Sequence, residues 1–162
     1  MGKLYLRQNG TITAESRTQG NAGHISVHVN DFLQIQKGEI KTKTNSADGG
    51  NIKISSPGYL YLTDEGTITT SVNAEDGNGG NITLNPEFIV LDKSFIKANA
   101  FKGNGGEVNI ITTGIYNFSG EPIEKVITAS SEYGLDGIVS IDSPDTDISD
   151  DLFVLPKNIL DG

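Results

Sequence analysis

Tyr59-Leu60-Tyr61-Leu62-Thr63, then Gly66-Thr67-Ile68-Thr69, then Gly79-Gly80-Asn81-Ile82-Thr83-Leu84 is the stretch that decides the fold. Leu60 and Leu62 stand two apart, Ile68 stands alone between threonines, and Ile82 and Leu84 again stand two apart. A spacing of two places side chains on one face of a strand. No segment sustains the 3.6-residue spacing of a helix. The unit therefore holds three short strands, each with one apolar face that it cannot bury alone.

The same unit recurs on both sides. The lone isoleucine returns at Ile12, Ile40, Ile68, Ile96 and Ile127, at spacings of 28, 28, 28 and 31. The glycine before the third strand returns at Gly23, Gly50, Gly80, Gly106 and Gly137. Pairs like Leu60/Leu62 are Leu4/Leu6, Leu33/Ile35 and Ile89/Leu91. Pairs like Ile82/Leu84 are Ile25/Val27, Ile52/Ile54, Val108/Ile110 and Val139/Ile141. Two independent anchors at nearly one period mark a repeat architecture. Wound into a coil, each rung buries its apolar pairs and stacks on the next at about 4.8 Å. The expected fold is all-β: a parallel β-helix, or β-solenoid, of about five three-strand rungs over residues 1–141. Such a rod is roughly 20–25 Å long. A β-sandwich with regular turns is the alternative, and the fixed period weighs against it. The corners Asp48-Gly49-Gly50-Asn51, Gly77-Asn78-Gly79-Gly80-Asn81 and Gly103-Asn104-Gly105-Gly106 are expected to need positive φ, which Gly and Asn tolerate best.

Composition narrows the function classes. The chain has 162 residues, 20 glycines, no cysteine and a net charge of −9. Such acidity gives no electrostatic route to a phosphate backbone, so no nucleic-acid partner is expected. An anionic membrane surface is disfavoured as well. Without cysteine there is neither a disulfide framework nor a thiolate zinc site. No run of 18 apolar residues offers a transmembrane helix, so no membrane insertion is expected. Met1-Gly2-Lys3 leads straight into a strand pattern at Leu4, with no signal peptide visible. That start reads as an excised fragment or a short open reading frame.

The last rung departs from the pattern. Phe118 and Ile127 lie nine residues apart, and the insert Ser119-Gly120-Glu121-Pro122-Ile123-Glu124 is expected to protrude as a loop. Residues 142–162 read as an acidic cap or tail. Asp142, Asp145, Asp147, Asp150 and Asp151 lead into the apolar run Leu152-Phe153-Val154-Leu155-Pro156. An open solenoid end is an unpaired edge, and terminal repeats are often atypical caps. Ile111 and Ile138, on the outward face, are the surface such a tail would cover.

Outward positions were read for chemistry. The first wall offers Tyr5, Gln34, Tyr61 and Val90, then Arg7, Gln36, Thr63 and Asp92. The second offers Thr11/Thr13, Glu39/Lys41, Thr67/Thr69 and Phe95/Lys97. The third offers His24/Ser26/His28, Asn51/Lys53/Ser55, Asn81/Thr83/Asn85 and Glu107/Asn109. Two carboxylates one rung apart would suit a glycosidase separation of about 5–5.5 Å, and no two acids share a position on adjacent rungs. No catalytic or cofactor-binding residue is therefore assigned, and the chain reads as a non-enzyme unless its loops carry the chemistry. His24 and His28 are about 13 Å apart along a strand, too far for one metal. Asp76-Gly77-Asn78-Gly79-Gly80 lacks the later ligands of a calcium loop. The tail acids could hold Ca²⁺, although a solvated acidic tail is the plainer reading. Glu39/Lys41 and Phe95/Lys97 interrupt the threonine row that ice binding needs. Tyr5 and Tyr61 are a weak hint of sugar stacking, with exposed aromatics otherwise sparse.

The motifs Gly-Asn-Ala-Gly and Gly-Asn-Gly-Gly, with Asn-Ile-x-Ile, Leu-x-Leu and Gly-x-Ile-x-Thr, resemble those of filamentous-haemagglutinin-type exoproteins of the two-partner secretion pathway. Many large members of that family occur in cyanobacteria. The segment from Ile127 to Gly137, then Val139-Ser140-Ile141-Asp142-Ser143-Pro144-Asp145 and Leu155-Pro156, looks like their closing rungs. The resemblance covers nearly the whole chain. It implies a right-handed parallel β-helix and a secreted, cell-surface location outside the outer membrane. It also implies a structural or adhesive role, with a cell-surface glycan or a host or neighbour-cell ligand as partner. Export of the full-length parent would use an outer-membrane barrel transporter, directed by an N-terminal domain unlike anything in this chain. The alternative is a polysaccharide-binding or polysaccharide-acting β-helix, which a clustered acid or aromatic patch on one face would favour.

Overall fold

The computed structural model describes residues 2–56, 58–73 and 76–143. Its elements follow the repeat rung by rung. The first rung holds β1 (Lys3–Arg7), β2 (Thr11–Ser16) and β3 (Ile25–His28). The second holds β4 (Phe32–Gln36), β5 (Glu39–Thr44) and β6 (Ile52–Ser55). The third holds β7 (Tyr59–Thr63), β8 (Thr67–Val72) and β9 (Ile82–Leu84). The fourth holds β10 (Phe88–Asp92), β11 (Phe95–Ala100) and β12 (Glu107–Ile111). The fifth holds β13 (Gly114–Asn117), the one-turn helix α1 (Ile123–Val126), β14 (Ile127–Thr128) and β15 (Ile138–Asp142).

Each strand pairs with its counterpart one rung away, giving three five-stranded walls. The first wall runs β1-β4-β7-β10-β13, the second β2-β5-β8-β11-β14 and the third β3-β6-β9-β12-β15. All pairings are parallel, and the anchor isoleucines stand in register: Ile12 with Ile40, Ile40 with Ile68, Ile68 with Ile96, Ile96 with Ile127. The chain is a β-solenoid of about five rungs with three strands per rung.

The inward pairs form one column of core. Leu33, Ile35, Ile40, Ile54, Leu60, Leu62, Ile68, Ile82, Leu84, Ile89, Leu91 and Ile96 are fully buried. Leu4, Leu6, Ile12 and Val27 in the first described rung are only partly buried and pack against this column from one side. Three threonines, Thr42, Thr44 and Thr70, also face inward without exposure, and Thr44 donates its hydroxyl to the Gly20 carbonyl at 3.1 Å. Thr42 donates its hydroxyl to the Gly50 carbonyl at 2.9 Å, and Thr70 to the Gly80 carbonyl at 3.0 Å. A buried hydroxyl is tolerated because it has a partner.

The glycine-rich corners stand where expected, but positive φ is not the reason. None of Gly49, Gly50, Gly77, Gly79, Gly80, Gly103, Gly105 or Gly106 adopts left-handed backbone. The constraint is space. A Cβ on Gly50 would land on the Gly23 carbonyl oxygen, one on Gly80 on that of Gly50, and one on Gly106 on that of Gly80. Positive φ belongs to the opposite corner, between the first and second walls. There Gln8, Asn9, Lys37, Asp64, Glu65 and Lys93 all lie at φ between 48 and 68°. These side chains are exposed, so the corner asks for a strained backbone but has room for side chains.

The insert of the fifth rung is also corrected. Gly120, Glu121 and Pro122 are exposed as expected of a loop, but the segment then closes into α1. Val126 is buried and Ile123 packs partly against the core. Asn117, at an inward position where earlier rungs carry Leu or Ile, ties the loop down. Its Nδ2 donates to the Glu121 carbonyl at 2.7 Å, and its Oδ1 accepts from the Ser119 backbone N–H at 3.1 Å. The tail residues 144–162, including Asp145, Asp147, Asp150, Asp151 and the run 152–156, lie outside the described residues. Ile111 and Ile138 are exposed on the outer face of the third wall.

Candidate functional site

The register places every outward residue read from the sequence. On the second wall Thr11, Glu39, Thr67 and Phe95 form one column and Thr13, Lys41, Thr69 and Lys97 the next. The threonine row is thus broken on alternate rungs. Glu39 is instead salt-bridged to Lys41 along its own strand at 2.9 Å. On the third wall Ser26, Lys53, Thr83, Asn109 and Ser140 align. Among the described strands, no two outward carboxylates face each other across neighbouring rungs: Asp92 pairs with Thr63, and Glu107 with Ile138.

The third-wall corner is a hydrogen-bonded stack. Asn21 Oδ1 accepts from the Asp48 N–H at 3.1 Å, Asp48 Oδ1 from the Asn78 N–H at 2.8 Å, and Asn78 Oδ1 from the Asn104 N–H at 3.0 Å. A second ladder starts at His24, whose Nδ1 accepts from the Asn51 N–H at 2.9 Å. Asn51 and Asn81 continue it, accepting from the Asn81 and Glu107 N–H groups. So His24 is exposed yet has a structural partner, and His28 lies farther along β3 beside Ser55. The turn read as a faint calcium loop contributes Asn78 to the first ladder. Among the described residues no group of three or more His, Cys, Asp or Glu is placed to hold a metal ion. No described helix is long and apolar enough to cross a membrane.

The first wall holds what the sequence reading undercounted. Beside the column Tyr5, Gln34, Tyr61, Val90 and Tyr116 runs a second one: Lys3, Phe32, Tyr59, Phe88 and Gly114. Six aromatic rings thus share one outer face, with exposed Phe118 just past β13 at its margin. Tyr59 and Phe88 are stacked with centroids 5.7 Å apart, and Phe88 and Tyr116 are 5.9 Å apart. Tyr5 and Phe32 meet edge to face at 5.2 Å. The Arg7 guanidinium lies 4.2 Å from the Tyr5 ring, and Lys3 Nζ 5.6 Å from the Phe32 ring. Thr63, expected outward, is buried among its neighbours. The missed signal was the residue just ahead of each apolar pair, which belongs to the same outer face as the residue between the pair.

Two of the hollows on the described surface lie at the fifth rung and at the left-handed corner. The one at the fifth rung, ≈ 450 Å³, is lined by the apolar Ile123, Ile127 and Ile141 and the polar Glu124, Ser130 and Asp136. The other, ≈ 330 Å³, lies among Asn9, Lys37, Glu39 and Glu65. No protein-family model, no curated protein and no solved structure matches the chain.

Proposed function

We propose that this chain is a rigid, non-catalytic segment of an exported surface protein, structural or adhesive in role, of the filamentous-haemagglutinin type. The observation that carries the reading is the unbroken parallel register of three walls over all five rungs. A stack of this kind joins every rung to the next by backbone hydrogen bonds and a continuous apolar column, which gives a stiff element with flat faces. The scatter of outward carboxylates supports a binding or spacing role over carbohydrate hydrolysis. In this reading the parent reaches the cell surface through an outer-membrane barrel, and the walls meet a glycan or a neighbouring cell.

The test is adhesion of the purified chain to whole cells and to a glycan array, with and without Ca²⁺. Saturable binding to cells or glycans is the expected outcome. Turnover of polysaccharide substrates, read as released reducing ends, would overturn the non-catalytic reading. Failure to bind any cell or glycan would remove the adhesive half and leave a passive spacer.

A further inference from the structure

We infer that the outer face of the first wall is a binding surface for an uncharged polysaccharide. The inference deepens the adhesive reading above and rests on it. Its starting point is an uneven distribution. The chain has five tyrosines and six phenylalanines. Tyr5, Phe32, Tyr59, Tyr61, Phe88 and Tyr116 all stand on this one face. Tyr5, Tyr59 and Tyr61 are 42, 52 and 39% exposed, values that a solenoid wall does not need for its own stability.

The rings leave room for a ligand. At a centroid separation of 5.7 Å, Tyr59 and Phe88 are offset laterally by about 4 Å if their planes are in van der Waals contact. Tyr59 stays 52% exposed while stacked on Phe88, so part of its surface remains open. Aromatic faces and the C–H faces of pyranose rings are complementary, both flat and weakly polar. Gln34 stands in the tyrosine column with its Oε1 accepting from Arg7 at 3.0 Å, and Gln36 stands in the next column with its Nε2 donating to Asp64 at 2.9 Å. The Gln34 amide N–H groups and the Gln36 carbonyl, with the tyrosine hydroxyls, are therefore the polar groups for ligand hydroxyls.

Charge and area choose among occupants. The chain carries −9, yet between β4 and β13 the outer columns of this face hold a single charged residue, Asp92. The two cations, Lys3 and Arg7, sit on the first strand and lie against Phe32 and Tyr5. A charged polymer would find little to pair with there; a neutral one loses nothing. A second copy of the chain is a poorer fit. Strands about 4.8 Å apart and about five residues long make a face of roughly 300 Å², whereas a stable protein interface buries about 800 Å² per partner.

The experiment is retention of the full chain on insoluble neutral polysaccharides, namely cellulose, chitin and a β-1,3-glucan, with affinity electrophoresis in soluble neutral glucans. Retention on at least one is expected. Tyr59→Ala and Tyr61→Ala should each weaken it by about tenfold, while Phe95→Ala, on the second wall, should leave it unchanged. Circular dichroism and urea midpoints establish that the variants remain folded; Tyr61→Phe should retain most of the binding. Three outcomes overturn the inference: no retention on any neutral polysaccharide, retention indifferent to both tyrosine variants, or a dimer in light scattering that Tyr61→Ala dissolves. Cell binding that persists when neutral polysaccharides fail would sink this surface alone, and loss of both would sink the adhesive reading with it.

Discussion

The two corners that flank the second wall solve opposite problems. At the glycine corner the backbone is ordinary and the space is missing. Gly49, Gly79 and Gly105 would each bring a Cβ to 2.5–2.6 Å from the backbone nitrogen of Gly80, Gly106 or Gly137. At the left-handed corner the backbone is unusual and the space is ample, so Gln, Asn, Lys, Asp and Glu occupy it. A left-handed conformation costs a non-glycine residue about 1–2 kcal/mol, and here every rung but the fifth accepts it. The difference teaches that glycine in a solenoid can report how closely rungs approach rather than how the chain turns.

The largest effect that would break this contrast is at Gly80. Gly80→Ala places a methyl on the Gly50 carbonyl oxygen and should cost about 3–5 kcal/mol in urea unfolding; a loss below about 1 kcal/mol would mean that the corner has slack. Next comes the hydroxyl that serves the same carbonyl row. Thr70→Val keeps the shape but removes the donor to the Gly80 carbonyl, and a loss of about 1–3 kcal/mol is expected at the denaturation midpoint. Asn81→Ala removes one acceptor from an exposed ladder, where water can replace it. It should cost only about 0.5–1 kcal/mol and should raise amide exchange at Glu107 first. The smallest change is at the other corner. Lys37→Gly relieves a left-handed residue at φ 51° and gives back some chain entropy, for a net gain within about 1 kcal/mol. A clear destabilisation by Lys37→Gly would show that the lysine side chain, not the backbone, governs that corner.

Much of this fold was legible because a solenoid writes its register into the sequence. Ile12, Ile40, Ile68, Ile96 and Ile127 stack on one another, and their spacing is the rung. The reason for the glycines was not legible. A glycine demanded by φ and a glycine demanded by a carbonyl from the next rung look identical in one dimension, and only the stack separates them. The helical turn at Ile123–Val126 was hidden because four residues are too few to show a helical period. The aromatic face was half visible. Tyr5 and Tyr61 lie between paired apolar residues, where the period of two marks them as outward, while Phe32, Tyr59 and Phe88 lie one place before those pairs, where the repeat pattern does not single them out.

The asparagine ladders carry one more consequence. In each step from Asn21 to Asp48, Asp48 to Asn78 and Asn78 to Asn104, the side-chain acceptor sits in the earlier rung and the N–H in the later one. The same holds from His24 through Asn51 to Asn81. The molecule therefore has an arrow. A finished rung holds oriented side-chain acceptors toward the segment that follows it in the chain, and backbone donors as well, as from Gly49 to the Asn78 carbonyl, so it offers a template to a segment added on its C-terminal side. A chain that emerges progressively, its early segments free before its late ones, meets each template in the order in which it is laid down.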